Sequence, residues 1–293
     1  MKNLVDDLLS KTFIKLRSDY GFKRAFASPQ NAEVLRKFLN ALFEGRMVVT
    51  DVTFHDKEVL PPGVGGKRIV YDVYCTTDTG YHFVVEMQQE QSELFGQRMI
   101  FYVSSCVYRQ GESGGSYRFD PVYLIVITDF DMRQLSPRLV NEVVLMERNT
   151  HVVFSEDLKI FFLSLAQVSH DWDDCKSELE KQLYLIKNME NLNKNSKPYQ
   201  SGEYPEMFNA SEIASMAKED IVSYKNSILY EMEHESALEF AEKRGEEKGR
   251  AEGLEEGRAE SLESVAREMK KAGMCVEDIK RFTSLTSEQI AAL

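Results

Sequence analysis

The stretch "FVVEMQQE", residues 83–90, decides how this chain is read. It begins as a buried β-strand, and at Glu86 a carboxylate falls between a valine and a methionine. Gln88, Gln89 and Glu90 follow directly, so the strand ends in concentrated polar chemistry. Its partner is the β-rich run "KRIVYDVYCTT" (67–77), joined to it through "DTG". With one face buried, Ile69, Tyr71, Val73 and Cys75 must share a side with Tyr81, Phe83, Val85 and Met87. A three-residue loop, Asp78-Thr79-Gly80, with Gly80 left-handed, satisfies that condition. It places Asp72 directly opposite Glu86, with Gln88 one step further along the same face. Directly opposed side chains have Cβ atoms roughly 4.5–5.5 Å apart, and like charges there repel. On a semi-buried face, such a pair requires a proton or a cation. Mg²⁺ takes one or two carboxylates and completes its shell with water and phosphate. The other reading of the same register is an exposed edge pair with Lys or Arg partners.

Outward from the hairpin, the pattern is mixed α/β. "SDYGFKRAF" (18–26) opens with a Ser/Asp cap signal. "SPQNAEVLRKFLNALFEG" (28–45) repeats its apolar residues at helical spacing and stops at Gly45. "MVVTDVTF" (47–54) alternates like a strand. "SELFGQRMIFYVSSCVYRQG" (92–111) predicts a helix of roughly five turns. "DPVYLIVITDF" (120–130) reads as a fully buried central strand, and 139–165 as two more strands. "DDCKSELEKQLYLIKNMENL" (173–192) is an amphipathic helix with acids at its start. "NKNSKPYQSGEYP" (193–205) is a linker by composition, and from about 207 the chain is charged and helix-forming. This order predicts an α/β core followed by a helical tail.

Composition narrows the class. The 293 residues are 43% hydrophobic and 11% aromatic with a mean hydropathy of −0.37, enough apolar material for a sizeable core. The longest apolar run, "VYLIVI" (122–127), is far short of a membrane span, and "MKNLVDDLLS" lacks the apolar centre of a signal peptide. The four dispersed cysteines form no C-x-x-C pair, so neither a disulfide framework nor a zinc ribbon is expected. The expectation is a reduced, cytoplasmic protein that does not enter a membrane. The net charge of −12 argues against a protein that coats nucleic acid, yet nearly all the excess acid lies in the second half. "KTFIKLRSDYGFKRAF" (11–26) is basic and interleaved with aromatics. It reads either as a nucleic-acid patch, with Lys23 and Arg24 as contacts, or as a solvated helix face.

"SDYGFKRAF", "VYDVYCTTDTGYHFVVEMQ" and "QRMIFYVSSCVYRQG" together resemble the PD-(D/E)XK nuclease superfamily, and within it the recombination-promoting nuclease/transposase branch. The matching motifs run from about residue 16 to 130. The helix "ELEKQLYLIKNM" and the Gly-Glu-Lys-rich tail look like the same branch. The resemblance implies a restriction-endonuclease-like core, a central mixed sheet flanked by helices, over 1–192. A linker at 193–206 and a charged helical tail with a terminal hairpin over 207–293 would follow. It also implies that Asp72 and Glu86 are the metal-binding acids, and that the Met87 carbonyl assists. Gln88 stands where most members have lysine, as is usual in this branch. Asp19 matches the acid of the first helix, with Lys23 one turn beyond.

The implied reaction is Mg²⁺-assisted (or Mn²⁺- or Ca²⁺-assisted) hydrolysis of a DNA phosphodiester, an endonuclease activity that promotes recombination. Gln88 can orient a water and cannot act as its base. Arg98 and Tyr102 share one helix face. They either reach phosphate or pack at the core edge, with an ion pair from Arg98 to Glu93 or Glu90. In the tail, Gly245, Gly249, Gly253 and Gly257 lie four apart and form one bare helix stripe, either a self-association face or a marginal solvated spacer. The competing function is a non-catalytic, oligomeric nucleic-acid- or protein-binding module whose nuclease site has decayed at Gln88.

Overall fold

The computed structural model describes residues 9–59, 68–111, 117–132 and 134–293. Helix α1 (Asp19–Phe26) starts at Ser18, whose hydroxyl accepts the Gly21 N–H at 3.0 Å. Only glycine fits at position 21, because an added Cβ would lie 2.1 Å from the Lys15 carbonyl oxygen. Helix α2 (Ala32–Leu42) buries Val34, Leu35, Phe38 and Leu39 on one stripe, and Gly45 follows it at φ +73°.

Strands β1 (Val52–Phe54), β4 (Val73–Thr77), β5 (His82–Gln88), β6 (Val122–Thr128), β7 (Val140–Met146) and β8 (Val153–Ser164) make one sheet in the order β1-β4-β5-β6-β8-β7. The β5, β6 and β8 neighbours are parallel and the other pairs antiparallel, so the sheet is mixed. A separate two-stranded ladder joins β2 (Glu58–Val59) to β3 (Ile69–Val70). The hairpin has the expected register: Val73 faces Val85, Cys75 faces Phe83, and Gly80 turns the loop at φ +85°.

Two expectations about these strands need correction. The run 67–77 is not one strand, because the chain leaves the ladder at Tyr71–Asp72 and its first part pairs with β2. Burial is also two-sided, since every residue from Phe83 to Met87 is buried. Helix α3 (Phe95–Arg109) covers one face, packing Phe95, Met99, Val103 and Cys106 on Tyr74, Val84, Leu124, Val126 and Phe162. Phe43 covers the other, with ring centroids 5.4 Å from Phe83 and 5.2 Å from Phe161. The β-like pattern of 47–54 yields strand only at 52–54.

Helix α4 (Glu178–Asn188) is capped by Ser177, whose hydroxyl accepts the Glu180 N–H. The stretch expected as a linker holds α5 (Lys197–Gln200) and buries Pro198 and Tyr204, and α6 (Pro205–Ser211) follows it. Helix α7 (Lys218–Lys271) is 54 residues long. The chain divides into two compact units, Met1–Leu229 and Tyr230–Leu293, so the division falls inside α7. In the first unit, the start of α7 meets α1: Tyr224 Oη accepts the Lys15 N–H at 2.9 Å, and Asp220 pairs with Arg24. In the second unit, Gly273 turns the chain at φ +81° into α8 (Val276–Thr283) and α9 (Ser287–Ala292). Ala266, Ile279 and Ile290 form its small core, and Thr286 and Gln289 make a capping box at the start of α9. Among the described residues, no helix is long and apolar enough to cross a membrane.

Candidate active site

The break in the ladder at Asp72 determines the local chemistry. Where β4 has not yet begun, two backbone N–H groups would lose strand partners. Each is taken by a carboxylate from across the hairpin. The Asp72 N–H donates to Glu86 Oε1 at 3.1 Å, and the Met87 N–H donates to Asp72 Oδ2 at 3.0 Å. The two acids are therefore locked together by reciprocal side-chain-to-backbone bonds. Glu86 is 2% exposed, on the same sheet face as Val84 and Val126 beneath α3. Burial, reinforced by the neighbouring Asp72 charge, pushes the Glu86 carboxyl well above the ordinary range. Burial also raises Asp72, with Asp19 adding to the rise and Lys23 and the Met87 N–H opposing it.

Helix α1 brings the cation. Lys23 Nζ lies 3.3 Å from Asp72 Oδ1 and also contacts Asp19, one turn earlier on the same helix. Burial works against the Lys23 ammonium, but Asp72 and Asp19 outweigh it and hold its pKa above normal. From α3, Arg98 donates to the Gln88 side-chain oxygen. That contact turns the Gln88 amide nitrogen towards Glu86 Oε2, 3.4 Å away. The amide orientation follows from this hydrogen-bond network.

Asp72, Glu86, Gln88, Asp19, Lys23 and Arg98 thus converge. Two of the expected contacts, Arg24 and Tyr102, engage other partners. Arg24 is held by Asp220 at 2.8 Å and donates to the Ala210 carbonyl at 3.0 Å. Tyr102 packs edge-on against Tyr71, whose hydroxyl donates to the Tyr102 carbonyl. Burial raises the Tyr102 phenol, and the Glu86 charge adds to that. Of the two readings of Arg98, the structure adds a third partner, Gln88, reached along the helix face turned towards β5.

Sequence reading missed two groups. Lys57, just before β2, accepts the Tyr71 N–H through its carbonyl, which places it beside Asp72. Burial and the Lys23 charge lower its pKa, while Asp72 and Asp19 act in the opposite sense, so its ammonium shares the same field. Arg17 bridges Asp129, directly after β6, to Glu190, at 2.9 Å from the latter. Its carbonyl accepts from the Gln89 amide, and the Asp129 N–H donates to the Gln88 carbonyl. Arg17 therefore ties the end of β5 to the approach of α1. No local spacing signals either residue, since each meets the site through elements remote in sequence.

Among the described residues, no three His, Cys, Asp or Glu side chains gather as a ready-made metal cage. The donors present still suit a hard divalent ion. Two adjacent carboxylates, Glu86 buried and Asp72 partly so, could supply oxygen ligands, and such ions leave the remaining positions to water and phosphate. The mixed sheet between helices, with opposed acids at the end of its central hairpin, is a nuclease-type α/β core. A family model of the PD-(D/E)XK nuclease family transposases matches residues 16–241, and the chain belongs to that family. No curated protein and no solved structure matches it.

Proposed function

We propose that this protein is a metal-dependent DNA endonuclease that promotes recombination in the manner of a transposase. The observation that carries this reading is the pairing of buried Glu86 with partly buried Asp72, whose mutual repulsion a divalent cation would relieve. In it, Asp72 and Glu86 would hold Mg²⁺ (or Mn²⁺ or Ca²⁺), with the Met87 carbonyl as a further oxygen donor. Such an ion polarises a phosphoryl oxygen and lowers the pKa of a bound water. Gln88, fixed by Arg98, would offer its amide donor to an attacking water or to a non-bridging oxygen, with the guanidinium charge one hydrogen bond behind. Lys23 and Lys57 offset the charge of an incoming phosphate, and Asp19 holds Lys23 in place. Arg17 keeps the end of β5 and the start of α1 in register.

The second reading, a binding module with a degenerate site, is favoured by Gln88 standing where most relatives have lysine. The tail supports assembly in either case. The positions of Gly245, Gly249, Gly253 and Gly257 open onto free space, and Phe240 and Leu254 are exposed beside them. We assign these helices to homo-oligomer formation and the protein to the reducing cytoplasm, in keeping with four free cysteines. Incubating the full chain with plasmid DNA and Mg²⁺, Mn²⁺ or Ca²⁺ tests the enzyme reading. Metal-dependent nicking that disappears in Asp72→Ala supports it. Binding without nicking under every ion transfers the protein to the second reading.

A further inference from the structure

Beside the acid pair, an open cleft of about 660 Å³ runs between α1, the 28–31 turn, α6 and the start of α7. That volume lies within the range of small-molecule sites. Asp19 and Lys23 form its border with Asp72, so the cleft and the acid pair are continuous across one helix turn. Its charges are internally matched. Lys23 is engaged by Asp19 and Asp72, and Arg24 by Asp220, the Ala210 carbonyl and the Tyr20 hydroxyl. A phosphate entering here would compete with carboxylates for both cations. The remaining lining is neutral and able both to donate and to accept. Among the described residues, the Gln30 amide has only its oxygen engaged, by Ser28, and the Asn209 side chain makes no hydrogen bond. The Tyr20 ring, half-buried against Tyr224, supplies an apolar wall.

Neutral amides with an aromatic wall suit a flat, uncharged group carrying hydrogen-bond donors and acceptors on its edge. Amide side chains are base readers for this reason, and aromatic rings are stacking platforms. We propose that this cleft receives the base of a nucleotide flanking the scissile phosphodiester, with the phosphate at Asp72 and Glu86 and the base held by Gln30 and Asn209. A base can enter only when it is out of the double-helical stack, so the preferred substrate is DNA with an unpaired nucleotide at the cut. This substrate class rests on the nuclease reading, but occupancy of the cleft does not.

The test therefore has two arms, both on the full-length chain. In the first, saturation-transfer NMR without metal measures binding of the four deoxynucleosides and, separately, of deoxyribose 5-phosphate. Deoxynucleosides should bind through their base protons, roughly 5- to 10-fold more weakly in a Gln30→Ala/Asn209→Ala variant, which loses two hydrogen-bonding groups. Absence of transfer to the bases, equal transfer in both proteins, or binding of the sugar phosphate alone would overturn the proposal, whatever the nuclease result. In the second arm, Mg²⁺-dependent cleavage of a duplex with a central mismatched bubble is compared with its fully paired counterpart. The parent should favour the bubble, and in the double variant the ratio of bubble to paired cleavage should fall towards one. Cutting of paired and bubble DNA at equal rates by the parent contradicts the unpaired-substrate claim alone. Failure to cut either, with nucleoside binding intact, removes the nuclease reading and leaves the base cleft standing.

Discussion

Carboxylates crowd two regions of this molecule with opposite consequences. At the end of β5, Glu86 is buried against Asp72 and shifted far from its ordinary protonation. Along α7, Glu246, Glu252 and Glu256 are exposed to solvent on an acidic helix. Exposed charges are hydrated and contribute little, whereas a buried like-charged pair requires a proton or a cation. Glycines follow the same division. Gly21 is packed so closely that no side chain fits, while Gly249 and Gly253 face open space. Residue type alone therefore says little, and burial assigns the role.

The strongest break of this contrast is activity. Asp72→Ala or Glu86→Ala should lower metal-dependent DNA cleavage by more than about 10²-fold, since even outer partners of metal ligands are worth 10- to 100-fold. Glu246→Gln and Glu252→Gln should leave it unchanged, and loss of cleavage in these would place the chemistry in the tail. Next in size is Gly21→Ala, expected to destabilise the first unit by about 3 kcal/mol, because the new methyl meets a backbone carbonyl. Urea denaturation measures it.

A third effect depends on pH. Because folding raises the pKa of Glu86 and Asp72, the native state binds protons there more tightly than the unfolded chain. The stability from these protonated acids is full below the ordinary carboxylate pKa and is lost as pH rises through the raised values. With EDTA present, the parent should therefore weaken above that range. Glu86→Gln should weaken less and melt higher than the parent at pH 8. A mutant with the parent's pH slope would show that Glu86 is not a proton-binding site of the fold. The smallest effect belongs to the tail. Gly249→Ala should raise α7 helicity and add up to about 1 kcal/mol of helix stability. Gly249→Leu with Gly253→Leu should shift light scattering towards smaller assemblies if the bare stripe joins copies, and leave it unchanged if the stripe is only solvated.

Much of the site's frame was legible because the hairpin's parity and its three-residue loop fix which residues oppose. The premise of one-sided burial was mistaken, since helices cover both faces. The register survived because Gly80 and the loop length set it independently of the core. The break at Asp72 was not legible, because β-branched and aromatic residues flank it on both sides in "RIVYDVYC" and the competing pairing with β2 joins residues remote in sequence. Lys57 and Arg17 were hidden for the same kind of reason. Their site contacts join elements distant in sequence, and no periodicity encodes them. The linker composition of 193–205 misled because its polar residues stay outside while Pro198 and Tyr204 turn inward.

Titration calorimetry of the full chain with Mn²⁺, in the absence of DNA, tests most directly whether Asp72 and Glu86 share one divalent ion. One site per chain is expected, accompanied by proton release as the raised carboxyls ionise, with loss of that site in both Asp72→Asn and Glu86→Gln. Unaltered Mn²⁺ binding in either variant, or in both, would contradict it.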